Sequence, residues 1–432
     1  MTPGARLQAA IEIVDEILNR HRPAANALSE WGKAHRFAGS GDRAAIGNLV
    51  YDTLRHRASS AYVMGSDTPR ALVLAGLGRA QDAKIGDIAA LCAGAPHSPE
   101  PLTDDERERL SAATSLDSAP PWVQGDYPEW LHPSMQRVFG DRAAAQGQGM
   151  AARAPVFLRA NTMKSTAAKV AKAFAQHGAE ARGLAHFAVR LPPPKGAGRT
   201  PNVEADIAHG KGWFEVQDDG SQVAAMMAGA SPREQVMDLC AGAGGKTLAM
   251  AAAMQNTGQI YAYDSDKTQL RPIFERLKRA GVRNAQVMNA GNLTELAALG
   301  ARFDCVLIDA PCTGTGTWRR RPDAKWRVSP ENLATRIADQ QTVLKLGRDL
   351  VKPGGRLIYV TCSLLPEENT DQVAWFLAAS PGFQSVPYAE RWKVTIGGEV
   401  PASADGRTDN LLLTPADHGT DGFFIASFLR VG

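Results

Sequence analysis

The chain has 432 residues, a length that predicts two or three domains. With 44% hydrophobic and 22% charged residues, its composition is typical of a globular protein with a sizeable core. The formal net charge of +3 excludes a chain that is basic throughout, so any surface for nucleic acid must be local. Five cysteines without zinc spacing, and no signal peptide or membrane-spanning apolar stretch, predict a cytoplasmic protein without disulfides, bound metal or membrane partner.

Residues 1–140 have the pattern of a helical domain with a linker. Thr2-Pro3 is a helix-start signal, and apolar residues then recur at helical spacing, at Leu7, Ile11, Val14 and Leu18. A second amphipathic stretch follows Asp42, and a third helix is predicted over residues 69–77. Residues 93–121 are richer in proline, serine and acidic residues, which indicates a linker with one helix near residues 103–113.

Residues 150–215 predict a small α+β subdomain. Apolar runs at 155–160 and 186–191 have strand character, and residues 165–177 between them have helical character. Three consecutive prolines at 192–194 predict a loop, because proline cannot donate to a strand ladder.

Residues 216–432 alternate between strands and helices, which predicts a doubly wound Rossmann-like α/β domain. Strands are predicted at 236–239, 259–263, 285–289, 303–308 and 356–361. Helices are predicted between them, for example at 267–280 and at 333–350, the latter ending at Pro353-Gly354-Gly355. Two last strands, joined by a turn near residues 419–422, complete the predicted order.

A glycine-rich loop joins the first of these strands to the first helix. It runs Cys240-Ala241-Gly242-Ala243-Gly244-Gly245-Lys246, where glycines allow close approach of a ligand to the backbone and to the helix amino end. The loop lacks both the Walker spacing and a clean GxGxxG. Asp264 follows the second strand, where a carboxylate can accept both ribose hydroxyls. Together they indicate an adenosine-bearing cofactor, either S-adenosylmethionine or a dinucleotide.

Two cysteines follow the ends of two predicted strands. Cys312 lies in Asp309-Ala310-Pro311-Cys312, and Cys362 lies between Thr361 and Ser363. A thiolate that adds to carbon 6 of a cytosine makes carbon 5 nucleophilic, and a second thiol and an aspartate at ring N3 can assist. These positions predict covalent catalysis by Cys362, Cys312 and Asp309. Cys92, Cys240 and Cys305 are interpreted as small apolar residues of the packing.

A basic segment follows Cys312. Arg319, Arg320, Arg321, Lys325 and Arg327 lie close to Trp318 and Trp326, with Asp323 as the one acid among them. Arginine and lysine neutralise phosphates, and aromatic rings stack on unpaired bases. The segment therefore predicts an RNA contact, although a charge run is usually a solvated face.

Several segments resemble the RNA cytosine-5 methyltransferases of the RsmB/Sun type. They are DLCAGAGGKT (238–247), YAYDSD (261–266), VLIDAPCTGTGTWRRRPDAKW (306–326), GGRLIYVTCSLLPEEN (354–369) and HGTDGFFIA (418–426). The N-terminal helices around residues 42–55 resemble the NusB-like RNA-binding domain of bacterial members. The resemblance implies a class I methyltransferase domain over residues 216–432.

The resemblance also implies roles for individual residues. Cys362 would be the nucleophile and Cys312 the thiol that assists release of the adduct. S-adenosylmethionine would be held by residues 240–246 with Asp264, Asn289 and Asp309. Two positions depart from the family pattern, since Gly242-Ala243 replaces an Ala-Pro pair and Asn289 stands where an aspartate is usual.

Three functions remain open from the sequence. The first is methylation of carbon 5 of a cytosine, expected in 16S ribosomal RNA or alternatively in a transfer RNA, by a monomer. The second is a non-catalytic RNA-binding or ribosome-assembly factor on the same fold. The third is a nicotinamide-dependent enzyme, which leaves the two thiols without a task.

Overall fold

The structure is a computed structural model that describes residues 1–112, 114–194 and 198–432. The chain divides into two compact units. The first unit contains Met1–Arg153, Pro194–Thr200 and Trp318–Val328, and the second contains Ala154–Pro193, Pro201–Thr317 and Ser329–Gly432. The predicted helix near residues 103–113 is Asp104–Ser111, and Ala113 lies outside the described residues.

The first unit is helical, as predicted from its apolar spacing. Its helices are Pro3–Asn19, Ala24–Ala34, Ser40–Arg55, Arg57–Met64, Pro69–Gln81, Ile85–Leu91, Asp104–Ser111, Pro121–Gln124, His132–Phe139, Ala143–Ala151 and Pro322–Lys325. Thr2 caps the first helix by accepting a hydrogen bond from the Ala5 N–H, with Pro3 at the first turn. The predicted stripe residues Leu7 and Val14 lie in the core of this unit.

The second unit begins with a small antiparallel sheet. Its strands are β1 (Val156–Ala160), β2 (Ala188–Leu191) and β3 (Phe214–Val216), with β1 in the middle. Helix Ala167–Ala173 packs on the sheet, and the predicted helix 165–177 is shorter because residues 175–177 form a 3-10 turn. Sequence analysis missed β3, which has only three residues.

The main sheet has eight strands in the described part of the chain. They are β4 (Gln235–Asp238), β5 (Gln259–Ala262), β6 (Ala285–Val287), β7 (Phe303–Asp309), β8 (Val351–Thr361), β9 (Phe383–Val386), β10 (Leu411–Leu413) and β11 (Phe423–Arg430). The order is β10-β11-β8-β7-β4-β5-β6, and β9 pairs with β11. Strands β4 to β8 are parallel, whereas β11 is antiparallel to β8, to β9 and to β10. This confirms the doubly wound α/β fold class.

The second unit also contains helices, several of which pack on the main sheet. The helices of this unit are Ile207–Gly210, Asp219–Met227, Gly245–Ala253, Lys267–Leu270, Ile273–Ala280, Leu293–Ala297, Pro330–Leu350, Thr370–Ala379, Tyr388–Thr395 and Pro415–His418, besides Ala167–Ala173. The strands contribute fully buried residues such as Val236, Leu307 and Val360 to one apolar cluster. Burial of the parallel strands explains why their sequences are continuous apolar runs.

In the main α/β domain, two further predicted element boundaries differ from those in the structure. The predicted helix 267–280 is two helices, Lys267–Leu270 and Ile273–Ala280, because Pro272 has no N–H for a continuous hydrogen-bond ladder. The segment Pro353-Gly354-Gly355, predicted as the end of a helix, lies inside β8, where the pairing with β7 is irregular between Phe303 and Cys305.

Candidate active site

The site lies at the point where the strand order reverses. The chain passes from β4 outward to β5 and β6, and then returns to the other side of β4 with β7 and β8. In open α/β sheets the crevice outside the carboxyl ends of strands at such a point holds ligands. The glycine-rich loop leaves β4 here, and Asp309 ends β7.

The glycine-rich loop has a conformation that its glycines make possible. Gly242 and Gly244 have φ values of 50° and 82°, which favour glycine. A Cβ at Gly244 would also collide with the Ile273 side chain. The Gly242 N–H donates to the Asp264 carboxylate at 2.8 Å, so the end of β5 fixes the turn after β4. Helix Gly245–Ala253 then begins without a side-chain cap, so its first N–H groups have no side-chain partner.

Charged side chains link the loop to the next strand. Lys246 Nζ donates to Asp309 Oδ2 at 2.5 Å and lies 5.5 Å from the Phe423 ring centroid. Asp238 is fully buried and accepts from Thr247 Oγ1 at 2.6 Å. Burial raises the pKa of Asp238 to about 7, with the hydrogen bond from Thr247 acting in the opposite direction. The structure thus brings together the predicted residues Lys246, Asp264 and Asp309 around one crevice.

The loop fits an adenosine-bearing cofactor. A Cβ placed on Gly242 would meet no atom within 4 Å, so open space borders the backbone there. The Asp238 Oδ1 and Tyr263 hydroxyl oxygens are buried without a hydrogen-bond partner, and both flank the loop. Asp264 binds backbone N–H groups, which leaves carboxylate lone pairs for ribose hydroxyls. Asn289 is exposed, and its Nδ2 donates to Glu295 at 2.9 Å.

The two predicted thiols meet at the neighbouring strand ends. Cys312 Sγ lies 3.3 Å from Cys362 Sγ, and both residues are half-buried. Backbone hydrogen bonds fix the two strand ends, from Ala310 N–H to the Val360 carbonyl and from Gly316 N–H to the Cys362 carbonyl. The contact with Cys362, together with burial, raises the pKa of the Cys312 thiol. Two thiols this close favour a state in which only one carries a charge.

Of the other three cysteines, Cys92 and Cys305 are embedded in packing, as the sequence analysis interpreted them, whereas Cys240 is half-buried in the glycine-rich loop. Cys92 and Cys305 are buried in the cores of the first and second units. Burial raises the pKa of both thiols, and raises that of Cys240 well above its usual value. A raised pKa makes each of these three sulfurs a poor nucleophile.

A polar network behind the thiols was not found by sequence analysis. Glu368 is 0% exposed and accepts hydrogen bonds from the Thr313 N–H, the Thr313 hydroxyl and Gln340. Burial raises the pKa of its carboxyl group, with these donors acting in the opposite direction. The only sequence signal was its position in Pro366-Glu367-Glu368-Asn369, within a segment that resembles the family.

The basic segment after Cys312 is only partly exposed. Arg320, Arg321 and Arg327 are exposed, whereas Arg319 is buried and Lys325 is 1% exposed. Lys325 Nζ donates to the Arg55 carbonyl at 2.9 Å within the first unit, and burial lowers the pKa of Lys325 to about 8. Burial of Arg319 and Lys325 leaves Arg320 and Arg321 as the accessible residues of the predicted RNA contact. That these four residues contact RNA phosphates stays a prediction.

Solved structures with the same fold define the class of this protein. A methyltransferase homolog protein from Pyrococcus horikoshii superposes with a TM-score of 0.58 and 26% identity, over 72% of this chain and 97% of that one. NSun6 from the same organism, crystallised with SFG, gives a TM-score of 0.61 and 21% identity, over 71% of this chain and 98% of that one. The main sheet is that of a Rossmann-like methyltransferase fold.

Sequence comparisons assign the family. The family described as 16S rRNA methyltransferase RsmB/F matches residues 225–429, and its ferredoxin-like domain matches residues 127–195. The probable ribosomal RNA small subunit methyltransferase B of Synechocystis is 31% identical over 321 residues, which are 71% of this chain and 67% of that relative. The chain belongs to the RsmB/F methyltransferase family, which confirms the resemblance.

Within residues 1–112, 114–194 and 198–432, no group of three or more His, Cys, Asp or Glu side chains is placed to hold a metal ion. No helix in the same ranges combines the length and the apolar character needed to cross a bilayer.

Proposed function

We propose that the protein methylates carbon 5 of a cytosine in RNA, with S-adenosylmethionine as donor and a covalent bond between Cys362 and carbon 6 of the base. The expected substrate is 16S ribosomal RNA, which the names of the family and of the Synechocystis relative support. The observation that carries the proposal is the pair of half-buried thiols, 3.3 Å apart, after the ends of the neighbouring strands β7 and β8, the first of which bears Asp309.

Cys362, Asp309 and Cys312 would each act at a different step of the reaction. The Cys362 thiolate would add to carbon 6, which turns the ring into an enamine with a nucleophilic carbon 5. When bound, S-adenosylmethionine supplies an electrophilic methyl group to that carbon. Asp309 would accept a hydrogen bond from the protonated ring N3 and so stabilise the adduct. Cys312 would assist loss of the carbon 5 proton and expulsion of the Cys362 sulfur.

The residues that would hold S-adenosylmethionine surround the glycine-rich loop. Residues 240–246 line the approach, Asp264 would accept the ribose hydroxyls, and Asn289 would accept from the adenine amino group through its amide oxygen. The NSun6 protein was crystallised with SFG, an analogue of S-adenosylmethionine, and its presence in that fold relative supports the choice of cofactor. A dinucleotide remains the alternative from the loop alone.

The test is transfer of a labelled methyl group. Purified protein with labelled S-adenosylmethionine should methylate small-subunit ribosomal RNA from a strain that lacks the protein, and bisulfite mapping should locate one 5-methylcytosine. If the label appears only in transfer RNA, the proposed substrate becomes transfer RNA. Absence of transfer to any cellular RNA would contradict the proposed reaction.

The nucleophile is tested by one substitution and a matched control. Cys362→Ala should reduce methyl transfer below about one thousandth of wild type, because the covalent step is lost. Cys92→Ala changes a buried cysteine of the first unit and should leave the rate near that of wild type. Methyl transfer by Cys362→Ala at a rate close to that of the control would refute the covalent role.

A further inference from the structure

Glu368 is a buried carboxyl group that has no role in the proposed methyl transfer. Its Oε1 accepts from the Thr313 N–H at 2.8 Å and from Gln340 Nε2 at 3.0 Å, and its Oε2 accepts from the Thr313 hydroxyl at 2.5 Å. Thr313 directly follows Cys312 in the chain. A fully buried carboxyl group with these partners needs an explanation, since burial of a charge is costly without compensation.

The partners of Glu368 hold the loop of Cys312 on both sides. Gln340 Nε2 also donates to the Pro311 carbonyl at 3.0 Å, so the residue before Cys312 is bound by the same amide that contacts Glu368. Glu368 itself binds the residue after Cys312. The Cys312 loop is therefore tied at both neighbours of the thiol.

The adjacent Asn369 does the same for Cys362. Its Oδ1 accepts from the Thr361 hydroxyl at 2.6 Å, and its Nδ2 donates to the Ser363 carbonyl at 2.9 Å. The Tyr359 hydroxyl donates to the Glu368 carbonyl at 2.7 Å and anchors this pair to β8. Two consecutive residues thus bind the neighbours of two thiols that lie 50 positions apart in the chain.

We propose that Glu368 is a positioning residue for Cys312: by binding Thr313, it holds the Cys312 thiol against Cys362. The inference rests on the proposed function, in which Cys362 reacts as the thiolate and Cys312 acts only after methyl transfer. The Glu368 carboxylate repels a negative charge on Cys312, so Cys362 is the thiol that reacts as the thiolate while Cys312 keeps its proton until after methyl transfer.

The groups around Cys312 favour its neutral thiol, as this role of Glu368 requires. The pKa of the Cys312 thiol is raised by the hydrogen bond with Cys362, by burial, and by the charges of Cys362 and Glu368, whereas the Gly314 N–H acts in the opposite direction. The charge of Glu368 also raises the pKa of the nearby Tyr359, after the larger effect of burial. Glu368 faces hydrogen-bond donors on Thr313, Ser363 and Gln340.

The electrostatic part is tested in the protein without RNA or donor. Glu368→Gln keeps an acceptor for Thr313 and removes the charge. Alkylation of Cys312 by iodoacetamide is followed by mass spectrometry of its peptide at a series of pH values. In Glu368→Gln the pH of half-maximal alkylation should fall by about one unit, so alkylation at neutral pH should be about tenfold faster. The exposed Glu390→Gln is the control and should leave the profile unchanged. Superimposable profiles for Glu368→Gln and wild type would overturn the inference.

The geometric part is tested by the rate at which diamide joins Cys312 and Cys362 in a disulfide. Glu368→Gln and Glu368→Ala both lack the charge, so the comparison between these two variants isolates the geometry. Glu368→Ala, which loses the bonds to Thr313, should form the disulfide about tenfold more slowly than Glu368→Gln. Equal rates for the two variants would refute the positioning role. If Glu368→Ala does not fold by circular dichroism, the alkylation profile of Glu368→Gln decides.

These measurements distinguish the inference from the proposed function. Neither alkylation nor disulfide formation requires RNA or S-adenosylmethionine. A wild-type protein that transfers no methyl group would refute the proposed function even if Glu368→Gln shifts the Cys312 profile. An active wild-type protein with an unshifted profile would refute only the task of Glu368.

Discussion

The thiol pair Cys312 and Cys362 of the second unit and the basic segment Trp318–Val328 of the first unit, which lies between the two cysteines in the chain, differ in how well the sequence predicted their surroundings. The thiols were predicted at strand ends and meet there, 3.3 Å apart. The basic segment was predicted as an RNA contact, yet Arg319 and Lys325 are buried. Its Trp326 donates to the Leu54 carbonyl and packs against the core of the helical unit.

The two regions differ because strand ends have a predictable location in a sheet, whereas the side chains of a basic segment do not. Parallel strands bring their carboxyl ends to one edge of a sheet, so a polar residue directly after a buried strand has a predictable location. No comparable rule locates a charge run, because long basic side chains either extend into solvent or cover apolar surface with their stems. Here the segment forms the short helix Pro322–Lys325, and its Asp323 accepts from the Ala24 N–H.

The largest expected effect concerns the thiol pair. Cys312→Ala should trap the protein on its RNA, because the step that expels Cys362 is impaired while its addition is not. The trapped species should migrate slowly on a denaturing gel and disappear after ribonuclease treatment. Cys92→Ala, the control, should show no such band. Without a band in Cys312→Ala, the predicted role in adduct release would be lost.

A smaller effect concerns stability and the buried Lys325. Its pKa is about 8 in the folded protein and near the usual value when unfolded, so the unfolded state binds more protons between these values. The free energy of unfolding should therefore rise with pH through this window, by roughly 3 kcal/mol more in wild type than in Lys325→Met. Urea denaturation at pH 7 and pH 10 checks this. Parallel pH dependences would mean that Lys325 is solvated.

The smallest effect concerns the exposed arginines of the basic segment. The double variant Arg320→Ala, Arg321→Ala should bind RNA up to about tenfold more weakly at moderate salt and reduce the slope of log K against log salt by about 2. Two other exposed arginines of the first unit, Arg20 and Arg36, provide the matched double control. If both double variants keep the wild-type slope, Arg320 and Arg321 belong to a solvated face.

Much of the fold and part of the site could be predicted from local sequence. Leu7, Val14 and their helical spacing identified the first core stripe, and Cys305 to Ile308 identified a buried strand. The break at Pro272 was missed although its cause is local. The short strands β3 and β9 have three and four residues, too few for a periodic pattern to be recognised.

By itself, the sequence determined the alternation of strands and helices, the glycine-rich turn and the residues that follow β7 and β8, because these depend on spacing and backbone freedom within a few positions. The tertiary structure alone decided which polar groups share an environment. Glu368 meets Thr313 across 55 positions and Gln340 across 28, and Lys325 meets Arg55 across 270. Burial and hydrogen bonding of this kind are properties of packed neighbours, and neighbours so distant in the chain leave no local pattern.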